Sequence, residues 1–320
     1  MDDKARVTVV IPAYKAEATI GRAVDSVLTQ PGVEADVVAV VDGIFDRTPE
    51  LLASYDQSRV RTLVNQTNRG PTYTRNRGLA AATGDYVMFL DCDDFIEGEM
   101  LVGLVRAMRE RDADLGFGPL QILKEAKGVR RPVVERHFHS PADLFERWLA
   151  LAHTLPPCTT LWRTAFIRRI GGWTEGLKRN EDGELVLRGV MEGARLAFSS
   201  EGRGVYVHHD SADRLTSRTD ILDSRLTVGE MLLARESAVI APELKQSAVA
   251  RYFYRVALNC YSVGRQDLAE ASLKRARQLG FGGHTGPLWH RIAAALLGVP
   301  GRYRLTNWLK RRRIFGFRGW

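Results

Sequence analysis

Cysteine is scarce in this sequence, with three residues in a chain of 320: Cys92, Cys158 and Cys260. The number is odd, the spacings are long, and no Cys-x-x-Cys pair occurs. A disulfide framework and a structural zinc site both depend on paired cysteines, so neither is expected. This usage fits a reducing compartment, and we expect a cytoplasmic protein.

Long apolar runs are lacking as well. The longest candidate, residues 292–299 (IAAALLGV), is well short of the ~18–20 apolar residues that a helix needs to cross a bilayer. The chain begins with two acids, Asp2 and Asp3, where a signal peptide would be basic, and the apolar run that follows is short. The sequence therefore predicts neither a membrane-spanning helix nor a signal peptide.

Acidic residues are missing from the last part of the chain, residues 281–320. Because this segment holds eight Lys or Arg, it carries the whole formal net charge of +8, and residues 1–280 are neutral overall. Aromatic residues lie among these charges, and they include Trp289, Trp308, Phe315, Phe317 and Trp320. This mixture is typical of a membrane interface, so an anionic surface on the inner face of the cell membrane is the expected partner of residues 286–320. A plain helical cap is the alternative, and no nucleic-acid partner is expected, since nothing else in the sequence supports one.

Strand and helix patterns alternate over the first part of the chain. Apolar, β-branched runs predict strands at 7–14, 35–43, 60–66, 85–91 and 113–123. Helical spacing of apolar residues predicts helices between them, at 18–30, 48–56, 70–84 and 100–111. This alternation is typical of βαβ units, so the fold class is α/β, with a mixed, mostly parallel sheet and flanking helices.

The pattern changes after about residue 125. Helices are predicted at 140–154, 164–173 and 181–193, and from about 222 onward the sequence is helical throughout. We expect an α/β domain at 1–220, a helical hairpin at 221–280 and the basic aromatic tail at 281–320.

Polar residues follow three predicted strands, at Pro12–Glu17, Asp42–Asp46 and Asp91–Asp94. Ligands of open parallel sheets bind at the carboxyl ends of the strands, so these three segments are expected to line one crevice. The third segment places three carboxylates within four positions. Since neighbouring carboxylates repel one another, the cluster indicates a bound cation or a cationic substrate.

Three separated stretches together resemble the family 2 glycosyltransferases, which have the Rossmann-like GT-A fold: VTVVIPAYKAEATIGRAVDSVLTQ, NRGPTYTRNRGLAAATGDYVMFLDCDD and GGWTEGLKRNEDGELVLR. The similarity runs from residue 6 to about 210. It implies an inverting, metal-dependent enzyme that moves a sugar from a nucleotide-diphosphate donor, a UDP-sugar on family grounds, to a saccharide or lipid-linked saccharide acceptor. Bacterial surface or exopolysaccharide synthesis is the implied setting.

The resemblance also implies what the acidic cluster holds. The family's D-x-D acids bind Mn²⁺ or Mg²⁺ against the donor diphosphate, and hard carboxylate oxygens suit such cations. Asp93 then corresponds to the principal metal ligand, and Asp91 contacts the ribose or the metal. Asp94 would lie behind them or on the acceptor side, and Cys92 would be a small spacer in the donor site. A solvated acidic turn is the alternative.

The nucleotide site is implied by residues after the first two strands. Pro12, Ala13, Tyr14 and Glu17 would frame the base and ribose, and a packing role is the alternative for Tyr14. Asp42 would accept a hydrogen bond from the base. The family's Asp-Asp-Gly-Ser-x-Asp segment reads VDGIFD here, with Val41 and Ile44 replacing an acid and a serine. Asp42 and Asp46 are kept, so recognition of the base is expected, and the two departures weaken the assignment of the donor instead.

Three residues around the predicted third helix complete the implied donor site. Arg69, Arg75 and Asn76 are placed to meet diphosphate oxygens, which arginine binds well. The alternative for an arginine here is a structural ion pair with Asp85 or Asp91.

The catalytic pair of the family matches Glu181 and Asp182. Asp182 would be the base that takes the proton from the acceptor hydroxyl, and its neighbour Glu181 would raise its affinity for a proton. Capping of a helix N-terminus by both acids is the alternative. Trp173 would stack on the acceptor sugar or else lie in the core. Of two adjacent histidines at the end of a strand only one can face the site, and His209 is the favoured metal ligand.

Two other functions fit parts of the sequence. A phosphatase that uses a D-x-D nucleophile would need partner lysine and acidic motifs, which are missing downstream. A catalytically weak protein that binds nucleotide sugars is suggested by the two departures in the base-binding segment.

Overall fold

The computed structural model describes residues 4–150, 155–177, 180–209, 218–283 and 288–311. These residues fall into two compact units. Within the described ranges, the first unit comprises 4–148, 155–177, 180–209 and 237–240, and the second comprises 149–150, 218–236, 241–283 and 288–311. The predicted functional boundary at residue 220 stays a prediction.

The first unit is built on a seven-stranded sheet and a four-stranded sheet. The strands in the described residues are, in chain order, β1 (Arg6–Ala13), β2 (Glu34–Asp42), β3 (Val60–Asn65), β4 (Tyr86–Phe89), β5 (Phe95–Glu97), β6 (Leu115–Phe117), β7 (Leu120–Lys124), β8 (Val129–Arg130), β9 (Thr160–Arg163), β10 (Leu196–Phe198) and β11 (Arg203–His208). The larger sheet has the order β10-β6-β9-β4-β1-β2-β3, and the smaller one has the order β5-β11-β7-β8.

Helices cover the larger sheet and supply its core. The helices of the first unit are α1 (Ile20–Leu28), α2 (Thr48–Ala53), α3 (Pro71–Ala81), α4 (Met100–Glu110), α5 (Pro141–Leu149), α6 (Thr164–Arg169) and α7 (Glu181–Met191). Helix α1 buries Ile20, Ala23, Val24 and Val27, which is the spacing of one helix face. The central strands β1 and β2 are buried along most of their length, as their continuous apolar runs indicated.

The predicted fold class is confirmed. Strands β4, β1, β2 and β3 are mutually parallel neighbours, and β9 is antiparallel to both β4 and β6. Because β4, β1 and β2 run in the same direction, their carboxyl ends meet at one edge of the sheet. This edge carries the three polar segments of interest.

Two sequence predictions of secondary structure were wrong in detail. The predicted strand 113–123 is two strands in different sheets, because Pro119 lacks the N–H that a continuous ladder needs. The helix predicted to end at Gly84 ends at Ala81 instead. A Cβ on Gly84 would lie 2.6 Å from the Thr8 backbone nitrogen, so glycine is required there by close backbone approach.

The second unit is helical. It contains α8 (Arg218–Ala234), α9 (Pro242–Ser262), α10 (Gln266–Gln278) and α11 (Leu288–Arg311). Helices α9 and α10 form the predicted hairpin, and Tyr252 Oη donates a 3.0 Å hydrogen bond to the Arg225 carbonyl of α8. Helix α11 is interrupted at Gly298, which has a φ of 69°. Within the described ranges, no helix combines the length and the apolar character needed to cross a membrane.

Candidate active site

The loops after β1 and β2 are joined at the carboxyl edge of the sheet. The Glu17 backbone N–H donates to Asp46 Oδ2 at 3.1 Å, and the Arg47 N–H donates in return to Glu17 Oε2 at 3.1 Å. On the other side, the Leu90 N–H donates to the Val10 carbonyl at 3.0 Å and brings the acidic segment beside β1. The predicted convergence of the three polar segments is therefore observed.

Asp42 organises the loop that precedes α3. Its Oδ1 accepts hydrogen bonds from Asn65 Nδ2 and from the Arg69 backbone N–H, both at 2.8 Å. Its Oδ2 accepts from the Gly70 N–H at 2.9 Å. The buried carboxylate thus has three internal donors, and its predicted contact with a nucleobase stays a prediction.

An exposed apolar surface lies beside this loop. Tyr14, Ile44 and Phe45 are all solvent-exposed, and the rings of Tyr14 and Phe45 meet edge to face with centroids 5.3 Å apart. Pro12 is half-buried, whereas the Ala13 side chain is fully buried in the core and does not line the surface. Phe45 was not among the predicted site residues, although it follows Ile44 in the atypical VDGIFD segment.

Arg75 joins the acidic cluster to the predicted catalytic pair. Its guanidinium lies 2.7 Å from Asp91 Oδ1 and 3.2 Å from Glu181 Oε1. It also lies 4.4 Å from the centroid of the Trp173 ring. Burial opposes the charge of the Arg75 guanidinium, but the carboxylates of Asp91 and Glu181 outweigh burial and raise the pKa of Arg75 further above its ordinary value. The structural alternative, an ion pair with Asp91, is observed, and the predicted contact of Arg75 with the diphosphate stays a prediction. Arg69 is exposed, stacks at 4.3 Å on Tyr73, and keeps that predicted role open.

Asn76 holds a neighbouring loop rather than facing the crevice. Its Nδ2 donates to the Trp173 carbonyl at 2.9 Å and to Glu175 Oε1 at 3.2 Å, and its Oδ1 accepts from the Trp173 N–H at 2.8 Å. The predicted contact of Asn76 with diphosphate is not supported, because its amide is fully used inside the protein.

Two predicted acceptor contacts are not supported either. Trp173 is 3% exposed and packs edge to face on Phe89 at 5.0 Å, so it belongs to the core. Asp94 is 1% exposed, and its Oδ1 accepts a 2.8 Å hydrogen bond from the Val207 N–H of β11. Burial, followed by the charge of Asp91, raises the pKa of Asp94 well above its ordinary value. Asp94 therefore ties the acidic segment to β11.

The loop that contains Trp173 is supported by a buried ion pair. The sequence patterns did not predict this pair. On α7, Arg188 Nε donates to Glu184 Oε1 at 2.7 Å, and both side chains are almost fully buried. Arg188 also donates to the carbonyls of Ile170 and Gly172. These bonds fix the loop from its far side, as Asn76 does from α3.

We expect Arg188→Met to lower the free energy of unfolding by about 3–5 kcal/mol, because it leaves the Glu184 charge buried and unpaired. Denaturant titration measures this change. Arg106→Met is the matched control, since Arg106 forms an exposed pair with Glu201 and should matter by less than about 1 kcal/mol. Equal, small losses in both variants would contradict the supporting role of Arg188.

The predicted catalytic pair lies at the N-terminus of α7, where its two acids differ in environment. Glu181 is paired with Arg75, whereas Asp182 Oδ1 accepts a 2.8 Å hydrogen bond from the Gly183 N–H. Burial, followed by the charge of Glu181, raises the pKa of Asp182 to about 6. A carboxylate with this pKa is mostly ionised at neutral pH and has enough proton affinity to act as a base.

Asp93 and His209 form the part of the site that suits a divalent cation. Asp93 Oδ2 lies 3.1 Å from His209 Nε2, and both side chains are partly exposed. Two adjacent ligands of an octahedral Mg²⁺, each about 2.1 Å from the ion, lie about 3 Å apart, so the spacing fits the ion. Among the residues that the structure describes, no three His, Cys, Asp or Glu side chains form a complete metal cage.

Two further residues, Glu125 and Arg22, adjoin the pair of Asp93 and His209. Neither was among the predicted site residues. Glu125 Oε2 lies 3.0 Å from His209 Nδ1, and Arg22 donates to Glu125 Oε1 at 2.8 Å. No local pattern marks either residue, because the contacts join segments that are far apart in the sequence.

Comparisons with known proteins agree with this arrangement. A model of glycosyl transferase family 2 matches residues 8–169. The succinoglycan biosynthesis protein ExoO of Rhizobium meliloti (strain 1021) is 27% identical over 246 residues, which cover 73% of this chain and 70% of ExoO. The poly(ribitol-phosphate) beta-N-acetylglucosaminyltransferase TarS of Staphylococcus aureus (strain Mu50 / ATCC 700699) is 28% identical over 218 residues, which cover 66% of this chain and 37% of TarS.

Solved structures show the same fold. S. aureus TarS 1-349 in complex with UDP-GlcNAc matches with a TM-score of 0.71 at 20% identity, over 98% of this chain and 93% of that chain. GalNAc-T7 with UDP, GalNAc and Mn²⁺ matches with a TM-score of 0.60 at 15% identity, over 85% of this chain and 55% of that chain. The resemblance drawn from the sequence motifs is confirmed, since the family model spans about half of the chain. The chain belongs to glycosyl transferase family 2, and it is a glycosyltransferase with the GT-A fold.

Proposed function

We propose that the protein is an inverting, metal-dependent glycosyltransferase that uses a nucleotide-diphosphate sugar, with UDP as the nucleotide. The acceptor is a saccharide or lipid-linked saccharide in the synthesis of a bacterial surface polysaccharide or exopolysaccharide. The observation that carries this proposal is the double contact of Arg75. Its guanidinium contacts Asp91 of the acidic cluster and Glu181, the neighbour of Asp182 in the predicted catalytic pair. The acidic cluster, proposed to act on the leaving diphosphate, and the pair that contains the proposed base are thus joined by one arginine side chain.

The relatives support the choice of substrates. The name of ExoO places that protein in succinoglycan biosynthesis, and TarS is named for transfer of N-acetylglucosamine to poly(ribitol-phosphate). TarS has been solved with UDP-GlcNAc and with UDP. TarS supports a nucleotide-sugar donor, and the names of both proteins support a role in polymer synthesis.

The chemistry assigns one task to each end of the crevice. Asp182 accepts the proton of the acceptor hydroxyl while that oxygen bonds to the anomeric carbon and the bond to the diphosphate breaks, its electron pair leaving with the diphosphate. A single displacement of this kind inverts the anomeric centre. Asp93, Asp91 and His209 would hold Mn²⁺ or Mg²⁺. A bound divalent cation offsets the negative charge that grows on the leaving diphosphate.

The charges around Arg75 favour Asp182 over Glu181 as the base. Glu181 is engaged by Arg75 Nη1 at 3.2 Å. Burial, followed by the charge of this neighbouring carboxylate, raises the pKa of Asp182 to about 6. The alternative phosphatase chemistry would need Asp91 as a free nucleophile, whereas its Oδ1 accepts a 2.7 Å hydrogen bond from Arg75.

A panel of nucleotide sugars, measured by thermal shift and by nucleotide release with and without Mn²⁺, tests this proposal. We expect UDP-sugars with Mn²⁺ to raise the melting temperature and to be turned over, because a ligand of the folded state stabilises it by mass action. Binding without any transfer to saccharide acceptors would instead support the catalytically weak binding protein. No response to any nucleotide sugar would contradict both.

We also propose that α11 attaches the protein to an anionic membrane surface. Leu288, Ile292 and Leu296 follow one another at helical spacing and are 69%, 51% and 78% exposed. Arg291 is exposed as well, and the last forty residues contain eight Lys or Arg and no acid. An apolar stripe next to basic residues fits the interface of an anionic bilayer. The remainder of the predicted segment, 286–287 and 312–320, lies outside the described residues.

Replacing Leu288, Ile292 and Leu296 together by serine should lower partitioning onto vesicles of anionic phospholipid at least tenfold, because buried apolar area and basic charge act together at an interface. Sedimentation of vesicles with bound protein gives the partition coefficient. The control replaces three exposed valines of the first unit, Val129, Val133 and Val134, in the same way. Unchanged partitioning of the α11 variant would overturn the attachment.

A further inference from the structure

Four residues from separate parts of the chain form a closed ring that includes Asp93 of the acidic cluster. Arg22 comes from α1, Asp93 from the loop after β4, Glu125 from the turn after β7, and His209 from the end of β11. Arg22 Nη1 donates to Glu125 Oε1 at 2.8 Å, and Arg22 Nη2 donates to the Asp93 carbonyl at 2.9 Å. His209 closes the ring by contacting Glu125 and Asp93.

The imidazole of His209 lies between two carboxylates. Its Nδ1 is 3.0 Å from Glu125 Oε2, and its Nε2 is 3.1 Å from Asp93 Oδ2. The two contacts use opposite edges of the ring, so together they define its orientation. Without the contact at Nδ1, a partly exposed histidine would be free to turn its Nε2 away from Asp93.

Arg22 limits the freedom of Glu125. One guanidinium nitrogen holds the carboxylate oxygen that does not contact His209, and the other holds the backbone of the acidic segment. The guanidinium also lies 4.9 Å from the centroid of the Phe95 ring, in the range of a cation–π contact. The carboxylate of Glu125 is therefore fixed relative to Asp93 as well as to His209.

We propose that Glu125 is a positioning residue that orients His209 so that its Nε2 and Asp93 face the same divalent cation, with Arg22 holding Glu125 in place. The inference rests on the proposed metal site. A metal-binding histidine commonly donates its other N–H to a carboxylate, which fixes the tautomer and the ring orientation, and loss of such a partner weakens metal affinity about 10–100-fold. Glu125 itself need not touch the ion or the substrate.

Titration of the full-length protein with Mn²⁺ in the presence of UDP tests this role, with free Mn²⁺ followed by electron paramagnetic resonance. We expect Glu125→Ala to raise the Kd for Mn²⁺ about 10–100-fold. Glu125→Gln should have an intermediate effect, because its amide oxygen can still accept from Nδ1–H. Glu201→Ala is the control, since Glu201 forms a comparable exposed pair with Arg106 outside this ring. Melting curves show whether each variant is folded.

The outcomes separate this inference from the function on which it rests. If the wild type binds Mn²⁺ and His209→Ala weakens binding, but Glu125→Ala matches the Glu201→Ala control, the inference is wrong and the metal site stands. If His209→Ala has no effect on Mn²⁺ affinity, the orientation of His209 is irrelevant and the inference is also wrong. Absence of Mn²⁺ binding by the wild type would overturn the proposed metal-dependent function together with the inference.

Discussion

Asp182→Asn should lower kcat by about 10²–10⁴-fold, the usual contribution of a general base. The amide keeps the shape of the carboxylate but cannot accept the proton of the acceptor hydroxyl. Donor binding should change little, because the residues proposed to hold the nucleotide diphosphate are different ones. Steady-state transfer assays and calorimetric titration with UDP measure the two effects separately. Asp112→Asn, at an exposed acid that pairs with Arg163 and Arg195, is the control.

The pH dependence of the wild type follows from the same carboxylate. The pKa of Asp182 is raised from 3.8 to about 6, so kcat should fall about tenfold per pH unit below that value. A kcat that stays constant from pH 7 to pH 5 would contradict the assignment of Asp182 as base.

The Asp182→Asn variant should be more stable than the wild type at neutral pH. Between the unfolded-state pKa of 3.8 and the folded-state pKa of about 6, the folded protein retains a proton that the unfolded chain releases. Stability therefore falls as pH rises through this window, and above it the ionised Asp182 opposes folding by at most about 3 kcal/mol. Asp182→Asn removes this penalty. The free energy of unfolding of the variant should therefore exceed that of the wild type by more at pH 7.5 than at pH 5. Denaturant titrations at the two pH values measure it, and a loss of stability at pH 7.5 would contradict the burial of a charged group here.

Asp93→Ala should remove the dependence of turnover on Mn²⁺ and lower kcat by about 10²–10³-fold, the scale seen when one stabiliser of transition-state charge is lost. The variant removes the carboxylate that faces His209 Nε2 at 3.1 Å, so the cation would lose its main protein ligand. Turnover is measured over a range of Mn²⁺ concentrations.

Asp85→Ala is the matched control for this variant. Asp85 immediately precedes β4, at the opposite end from Asp93, and pairs with Arg6 at the surface. Full activity of Asp85→Ala beside an inactive Asp93→Ala would locate the effect at the carboxyl end of the strand. If Asp93→Ala kept wild-type turnover and the same Mn²⁺ dependence, the proposed role of Asp93 would be wrong.

The sheet and its functional edge were predictable from local patterns. Continuous apolar runs such as β1 and β2 indicate strands buried on both faces, and the helices between them require parallel neighbours. The polar segments after these strands then had to share an edge, whatever their detailed contacts. Strand β9 was missed, because four residues in an irregular segment give no usable periodicity.

The roles of single side chains were less predictable, because they depend on contacts between distant segments. Asp94 and Trp173 belong to motifs that suggest acceptor contacts, yet both are buried by packing that the motif does not encode. Asn76 is likewise used by the loop around Trp173. Glu125 has no motif at all, and only the turn after β7 brings it to His209.

Calorimetric titration of UDP into the wild-type protein, in Mn²⁺ and in excess EDTA, is the most direct test of a divalent cation held by Asp93 against a nucleotide diphosphate. We expect UDP to bind at least about tenfold more tightly with Mn²⁺, since a cation held by Asp93 would offset the negative charge of the diphosphate. Asp93→Ala should bind UDP with the same, weaker affinity in both buffers. Equal affinities of the wild type with and without Mn²⁺ would contradict the central claim.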